Sequence, residues 1–264
     1  MLLIECPSGL KGEMRGLTVA EEDLILQFSS GGKAKTDEAF KKLLSRCWVR
    51  TVDVGPYSNM TPEQPLDVDE ILVCDTFYMM LQLRVLSYGN ELDVRSQCPN
   101  GHGWEATIDL AGIKVYDLPQ DSRDRLAKGI PFETTLPVTG RTVKYKLLFY
   151  GDEVAAIKNL KSGRDDVSTE TLRLRIVEIS GFDPQTHVDT ETGLDIRNFI
   201  RSLPVADSSA IRDAMDDVDG GVETEYEAIC DQCDALSMVS IEQAVNFFGA
   251  RKGRKKRGSR PSRT

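Results

Sequence analysis

Two short segments, far apart in the chain, constrain the fold more than anything else in it. Cys98-Pro99-Asn100-Gly101-His102 and Cys230-Asp231-Gln232-Cys233 each hold a pair of possible zinc ligands across a tight turn. Zinc takes four ligands in a tetrahedron, and three cysteines with one histidine form a common structural set. Neither pair closes a site alone, and together they complete one. The expectation is one structural zinc on Cys98, His102, Cys230 and Cys233, clamping two β-hairpins over residues 91–108 and 222–240 in a zinc-ribbon-like arrangement. Everything between would be a long insertion held shut at its base. The rival reading is two separate half-sites, with a surface histidine and reduced thiols. In the shared site all four ligands are protein atoms and no position is left for water, which points to a structural metal and away from a catalytic one.

The flanks have the alternation that hairpins need. Glu91-Leu92-Asp93-Val94-Arg95-Ser96 and Trp104-Glu105-Ala106-Thr107-Ile108 alternate polar and apolar residues, as half-buried strands do. Glu223 to Ile229 alternates less cleanly, and Met238 to Ile241 follows the second knuckle. Cys47 and Cys74 fall within apolar helical patterns and read as buried free thiols. With the metal ligands set aside no disulfide framework is left, which fits a reducing cytoplasm. The N-terminus has neither a basic region nor a long apolar run, so no signal peptide is expected. Ile71 to Leu86 is the most apolar stretch, but Asp75, Gln82 and Arg84 interrupt it, so it reads as a core helix and not a membrane span.

With 264 residues, 40% hydrophobic and 28% charged, the composition is globular and leaves room for one large domain or two ordinary ones. The fold class expected is α+β. Residues 1–90 should hold short strands and a buried helix. Residues 91–240 should form the zinc-ribbon-like domain with a largely helical insertion over about 150–220, and residues 241–264 a C-terminal helix and basic tail. In order, the pattern predicts strands and turns before Leu17, a helix from Thr18 to Phe28, a glycine-rich link at Ser29–Lys33, and a helix from Thr36 to Val49. A loop from Val52 to Pro65 precedes a central helix that Asp67 and Glu70 open as a capping box and that ends near Tyr88. Phe77, Tyr78, Met79, Met80 and Trp48 read as core. A strand at Ile113–Asp117, a hairpin around Thr139-Gly140, a helix pair at Asp152–Lys161 and Ser168–Ser180, and two short helices at Thr192–Ser202 and Ser208–Val218 complete it.

Catalysis finds little support. His187 lies in a polar loop with no nucleophile setting beside it. Asp213, Asp216, Asp217 and Asp219 fit no register of a calcium loop and read as a solvated helix end. The charge is lopsided. The net charge is −9, yet the last fourteen residues hold eight Lys or Arg and no acid, leaving 25 basic against 42 acidic residues before them, a net −17. A nucleic-acid binder should carry a basic folded face, and this body is acidic. The tail reads either as a solubilising run or as a docking arm, rooted by Phe247 and Phe248, for an acidic partner: a neighbouring subunit with a stripe like Glu223, Glu225 and Glu227, which is the favoured one, or nucleic acid.

An ordered series of segments carries a family resemblance: Pro-Ser-Gly-Leu-x-Gly-Glu-x-Arg-Gly-Leu at Pro7 to Leu17, Arg46-Cys47-Trp48, Gly55-Pro56-Tyr57, Phe77 to Arg84, Tyr88-Gly89 and the Cys98-Pro99 knuckle. The chain resembles the baseplate hub and hub-assembly proteins of T-even-type contractile-tailed phages and of related contractile injection particles. The likeness covers most of residues 7–104 and strengthens again at Cys230–Cys233. Members often carry a Cys-Pro-x-Cys knuckle; here the second ligand would be His102, displaced by one residue. The resemblance implies a structural or assembly role in the virion tail baseplate, with synthesis in the host cytoplasm. It implies other baseplate and tail proteins as partners, a homo-oligomeric ring of three-fold or six-fold symmetry, no enzymatic activity, no small-molecule substrate and no membrane. The alternative is a zinc-ribbon adaptor associated with nucleic acid.

Overall fold

The computed structural model describes residues 1–29, 33–158 and 167–241. The expected basic tail, the C-terminal helix with Phe247 and Phe248, most of the glycine-rich link and the end of the Asp152–Lys161 helix lie outside the described residues. In chain order the elements are β1 (Leu2–Glu5), β2 (Lys11–Met14), α1 (Val19–Ser29), α2 (Lys33–Cys47), β3 (Trp48–Asp53), α3 (Val73–Tyr88), β4 (Glu91–Gln97), β5 (Gly103–Asp109), β6 (Val115–Tyr116) and α4 (Gln120–Lys128). There follow β7 (Phe132–Thr135), β8 (Thr142–Tyr145), α5 (Tyr150–Lys158), α6 (Val167–Arg175), β9 (Ile176–Ile179), α7 (Ile196–Ser202), α8 (Val205–Asp216), β10 (Gly221–Val222), β11 (Glu225–Ile229) and β12 (Leu236–Ser240). The fold is mixed α+β, with small antiparallel sheets among helices. The described residues form two compact units: those of 1–83 with those of 114–223, and 84–113 with 224–241.

The first unit is built around the sheet β1-β2-β3 and the buried first part of α3. Gly12 of β2 has its Cα under the indole of Trp48; a Cβ there would lie 2.1 Å from Cζ2 of the ring. Gly55, in the left-handed region at φ 56°, leaves a Cβ no more than 2.9 Å from the backbone of Gly9 and Leu10. At Gly55 a side chain would overlap backbone atoms in a left-handed conformation, and at Gly12 it would force the Trp48 indole to shift, so glycine suits both places. Asp75, in the first turn of α3, is fully buried. It accepts the Ser8 amide at 2.9 Å, the Ser8 hydroxyl, and the Tyr57 hydroxyl at 2.5 Å. Tyr57 in turn accepts the Leu72 amide at 3.1 Å. Three segments distant in sequence are thus fixed to one carboxylate, as a buried polar group requires. Burial pushes the Asp75 carboxyl up, against the hydrogen bonds from Ser8 and Tyr57.

A second sheet, β7-β8-β9, lies in the same unit. The Tyr145 hydroxyl donates to the Ala214 carbonyl in the last turn of α8, at 2.8 Å. Arg175 pairs with Asp219 through two bonds of 2.7 and 2.9 Å. Asp219 is therefore an ion-pair partner, not part of a free solvated helix end.

Local expectations failed where pairing overrode periodicity. Trp48–Asp53 was expected as helix end and loop, and is strand β3 because its aromatic and β-branched residues find β2 as a partner. Leu172, Ile176 and Ile179 have helical spacing and are all buried, yet Ile176–Ile179 leaves the helix to pair with β8. Asp67 does cap a turn, accepting the Asp69 amide, but the turn is a single 3-10 turn, and α3 starts only at Val73. Helix α4 was missed although Pro119 precedes it and Gly129 ends it in the left-handed region, the terminal signals of a short helix.

The second unit contains two hairpins, β4–β5 and β11–β12. The first is conventionally two-faced: Leu92, Val94, Trp104 and Ile108 are buried, while Glu91, Asp93, Arg95 and Glu105 are exposed. The last turn of α3 belongs to this unit. There the Arg84 guanidinium, buried over the Tyr88 ring, donates to the carbonyls of Gly89 and Glu91 at 2.9 and 3.0 Å and fixes the step from helix to β4.

Candidate metal centre

Each hairpin ends in a knuckle closed by backbone bonds. In the first, the Cys98 amide donates to the His102 carbonyl at 2.9 Å and the Gly101 amide to the Cys98 carbonyl at 2.8 Å, with Gly101 at φ 82°. In the second, the Cys230 amide donates to the Ala235 carbonyl at 3.0 Å and the Asp234 amide to the Cys230 carbonyl at 2.9 Å. Asp234, at φ 54°, takes the left-handed role that glycine has in the first turn. Aspartate is one of the few side chains that enter this region at modest cost.

The knuckles bring Cys98, His102, Cys230 and Cys233 together, with one potential ligand atom from each, all within 4.8 Å of one another. The Cys98 and Cys233 sulfurs are 3.7 Å apart, and Cys230 Sγ lies 3.9 Å from His102 Nδ1. Zinc–sulfur bonds of about 2.3 Å at the tetrahedral angle separate two sulfurs by about 3.8 Å, and sulfur from nitrogen by about 3.6 Å. These two separations lie within about 0.3 Å of the tetrahedral values, and the other pairs lie within 4.8 Å. Cys98 and Cys230 are buried, and His102 and Cys233 are partly exposed.

The electrostatics around Cys233 favour a thiolate. A hydrogen bond from the Asn100 amide at 3.3 Å, then the Ala235 backbone amide and His102, bring its thiol down to about 6. Cys230 moves the other way: the Gln232 amide favours its thiolate, but burial and hydrogen bonds with the Cys233 and Cys98 thiols push it up. A divalent cation at the centre would favour the thiolate of every cysteine ligand, because metal binding displaces the proton.

The remaining candidates do not gather into sites. His187 lies in an exposed loop at φ 54°. Glu225 and Glu227 are exposed strand residues, while Glu223 precedes the strand and accepts from the Tyr116 hydroxyl at 3.2 Å. Phe77, Met79 and Trp48 are core, and all six cysteines are free thiols. An open groove of about 490 Å³ in the first unit, lined by Met60, Leu126, Ile130 and Phe149 among others, holds no histidine or cysteine. The element that sequence reasoning passed over is the Asp75 clamp. Ser8 and Tyr57, which belong to the quoted family segments, are there as partners of that carboxylate.

Among the described residues no helix is long and apolar enough to cross a membrane. No curated protein and no solved structure matches the chain significantly. A family model described as T4 bacteriophage base plate protein matches residues 3–249, a span that includes both knuckles and all the described elements but the first residue of β1. This match supports a structural role in a phage tail baseplate, in contact with other baseplate and tail proteins, and suggests a non-enzymatic one. The chain belongs to the T4 bacteriophage base plate protein family.

Proposed function

We propose that the chain is a structural component of the hub region of a contractile-tail baseplate, with one zinc ion bound by Cys98, His102, Cys230 and Cys233. The observation that carries this reading is the gathering of those four side chains within 4.8 Å of one another in a member of a baseplate family. The ion would supply a crosslink and no reaction. Its ligands come from positions 135 and 128 residues apart in the pairs Cys98–Cys233 and His102–Cys230, so it would tie the two hairpins into one unit. As a hub component the chain would assemble with its neighbours in a closed ring of three-fold or six-fold symmetry, since closed point groups are the usual outcome of specific self-association.

Two measurements test this. Elemental analysis of purified protein should find about one zinc per chain; a folded protein free of metal refutes the clamp. A density map of the assembled particle should place the chain near the tail axis. Absence from purified particles that nevertheless need the gene product would make it an assembly factor. The nucleic-acid adaptor reading rests on the basic tail, but a body with net charge −17 opposes close approach to DNA.

A further inference from the structure

The second hairpin is turned the wrong way round for a free surface. Its ladder sets Glu225 opposite Ser240, Glu227 opposite Met238 and Ile229 opposite Leu236, and these six side chains share one face because strand residues alternate. Ile229 is 66% exposed, Leu236 54% and Met238 51%, whereas Ser237, on the opposite face, is buried. The neighbouring hairpin β4–β5 does the reverse and buries its apolar face. Three large apolar side chains displayed together beside the knuckle mark an interaction surface. The face is graded: apolar at the knuckle end, acidic at the other, where Glu225 and Glu227 have no ion-pair partner among the described residues.

Beyond Ile241 the chain runs on for 23 residues, and their sequence has a matching gradient. Phe247 and Phe248 are followed four residues later by Arg251 and Lys252, the start of the basic run. Four extended residues span about 13 Å, the same distance that separates Ile229 from Glu225 along β11. In an extended segment residues 247, 249 and 251 share one side, so Phe247 over Ile229 and Leu236 puts Arg251 over Glu225, with Lys252 at the edge of the same acidic end. The direction decides whose segment it is. This docking runs from the knuckle end to the glutamate end, but a chain's own segment leaves β12 at the glutamate end. To set its phenylalanines on its own Ile229 and Leu236 it would have to run the opposite way, and its cations would pass beyond the knuckle, off the glutamates.

We propose that the exposed face of β11–β12 receives residues 247–252 of a second copy of this chain. Each copy offers one face and one segment, so the contact is head-to-tail and closes into a ring when the rotation allows. The proposal rests on the self-association in the ring reading, and specifies its surface.

The test uses full-length protein and sedimentation velocity over a range of concentrations. Glu225→Lys/Glu227→Lys in one protein, and Arg251→Glu/Lys252→Glu in another, should each weaken self-association by about ten-fold or more at low salt, with unchanged melting. Phe247→Ser/Phe248→Ser should weaken it by about thirty-fold or more, through the lost apolar burial. The decisive arm mixes the two charge-reversed proteins. Every interface between unlike copies then pairs opposite charges again, so the mixed dimer, read at concentrations where dimers dominate, should form to within about three-fold of the parent dimer; an odd-numbered ring always keeps one like pair, so the dimer is the species to compare. A contact within one chain gives no recovery on mixing, and that result overturns the proposal. So does a parent that stays monomeric at every concentration, or association untouched by all three variants. Salt-sensitive binding to duplex DNA that disappears with Arg251→Glu/Lys252→Glu, while self-association persists, would assign the segment to nucleic acid instead. Absence of the chain from purified particles bears on the baseplate role alone and leaves this solution result standing.

Discussion

Removing the metal, by chelation or through Cys230→Ser, should unfold the second unit and spare the first. Sequence separation alone overstates the size of the effect. Cys98 and Cys233 lie 135 positions apart, and a crosslink closing a loop of that length is worth about 5 kcal/mol in the chain-entropy description. The fold has already closed most of that loop. Val115 and Tyr116 pair with Val222 and Gly221, and the Glu223 amide donates to the Lys114 carbonyl at 2.8 Å. With the first unit folded, only the stretches from Cys98 to Lys114 and from Glu223 to Cys233 remain to be tethered, about 26 residues, and the same relation gives about 3.5 kcal/mol. That corresponds to about a 300-fold change in an opening equilibrium. Amide hydrogen exchange reads it by segment. With a chelator, protection in β4, β5, β11 and β12 should fall by about 300-fold or more, since the lost metal–ligand bonds add to the tether term. Protection in β2, β8 and the first part of α3 should stay within a few-fold. Unchanged exchange in the four hairpin strands of protein shown to be metal-free would refute the clamp. An equal loss in both units would refute the idea that the first unit closes the loop independently.

Three further outcomes follow from the first unit. Gly12→Ala should cost about 2 kcal/mol or more by driving a Cβ into the Trp48 indole; a denaturant midpoint equal to that of the parent would show that the indole shifts freely. Tyr57→Phe removes a donor to Asp75 and the acceptor of the Leu72 amide, and should cost about 2 kcal/mol; a thermal midpoint within a degree of the parent would mean the clamp is dispensable. Glu21, which the two-pronged Arg15 guanidinium and Thr18 hold down to about 2, has a folded value below its unfolded one. Its stabilisation is therefore present above pH 4.5 and lost as the pH falls towards 2. The gap between parent and Glu21→Gln should be on the order of 1–2 kcal/mol at neutral pH, discounted because Arg15 is partly exposed, and should shrink across that acid window. A gap independent of pH would refute the assignment.

The hairpins and the four clustered side chains were legible in the sequence because their signals are local. A knuckle is about five residues with a left-handed position near its end, and clean alternation marks the strands around the first, while those around the second alternate less cleanly. Two incomplete ligand pairs point to one shared site because zinc takes four ligands. The family segments were legible as an ordered series, but their physical meaning was not. Ser8, Tyr57 and Asp75 are 67 and 18 residues apart pairwise across the clamp, and nothing in local spacing says that they share a carboxylate. Pairing partners decided the strands at Trp48–Asp53 and Ile176–Ile179, where periodicity had favoured helix or loop. The closure at Lys114 and Glu223 and the outward apolar face of β11–β12 also belong to tertiary structure. A strand's alternation states which residues share a face, but only the packing of the folded chain decides which face meets water.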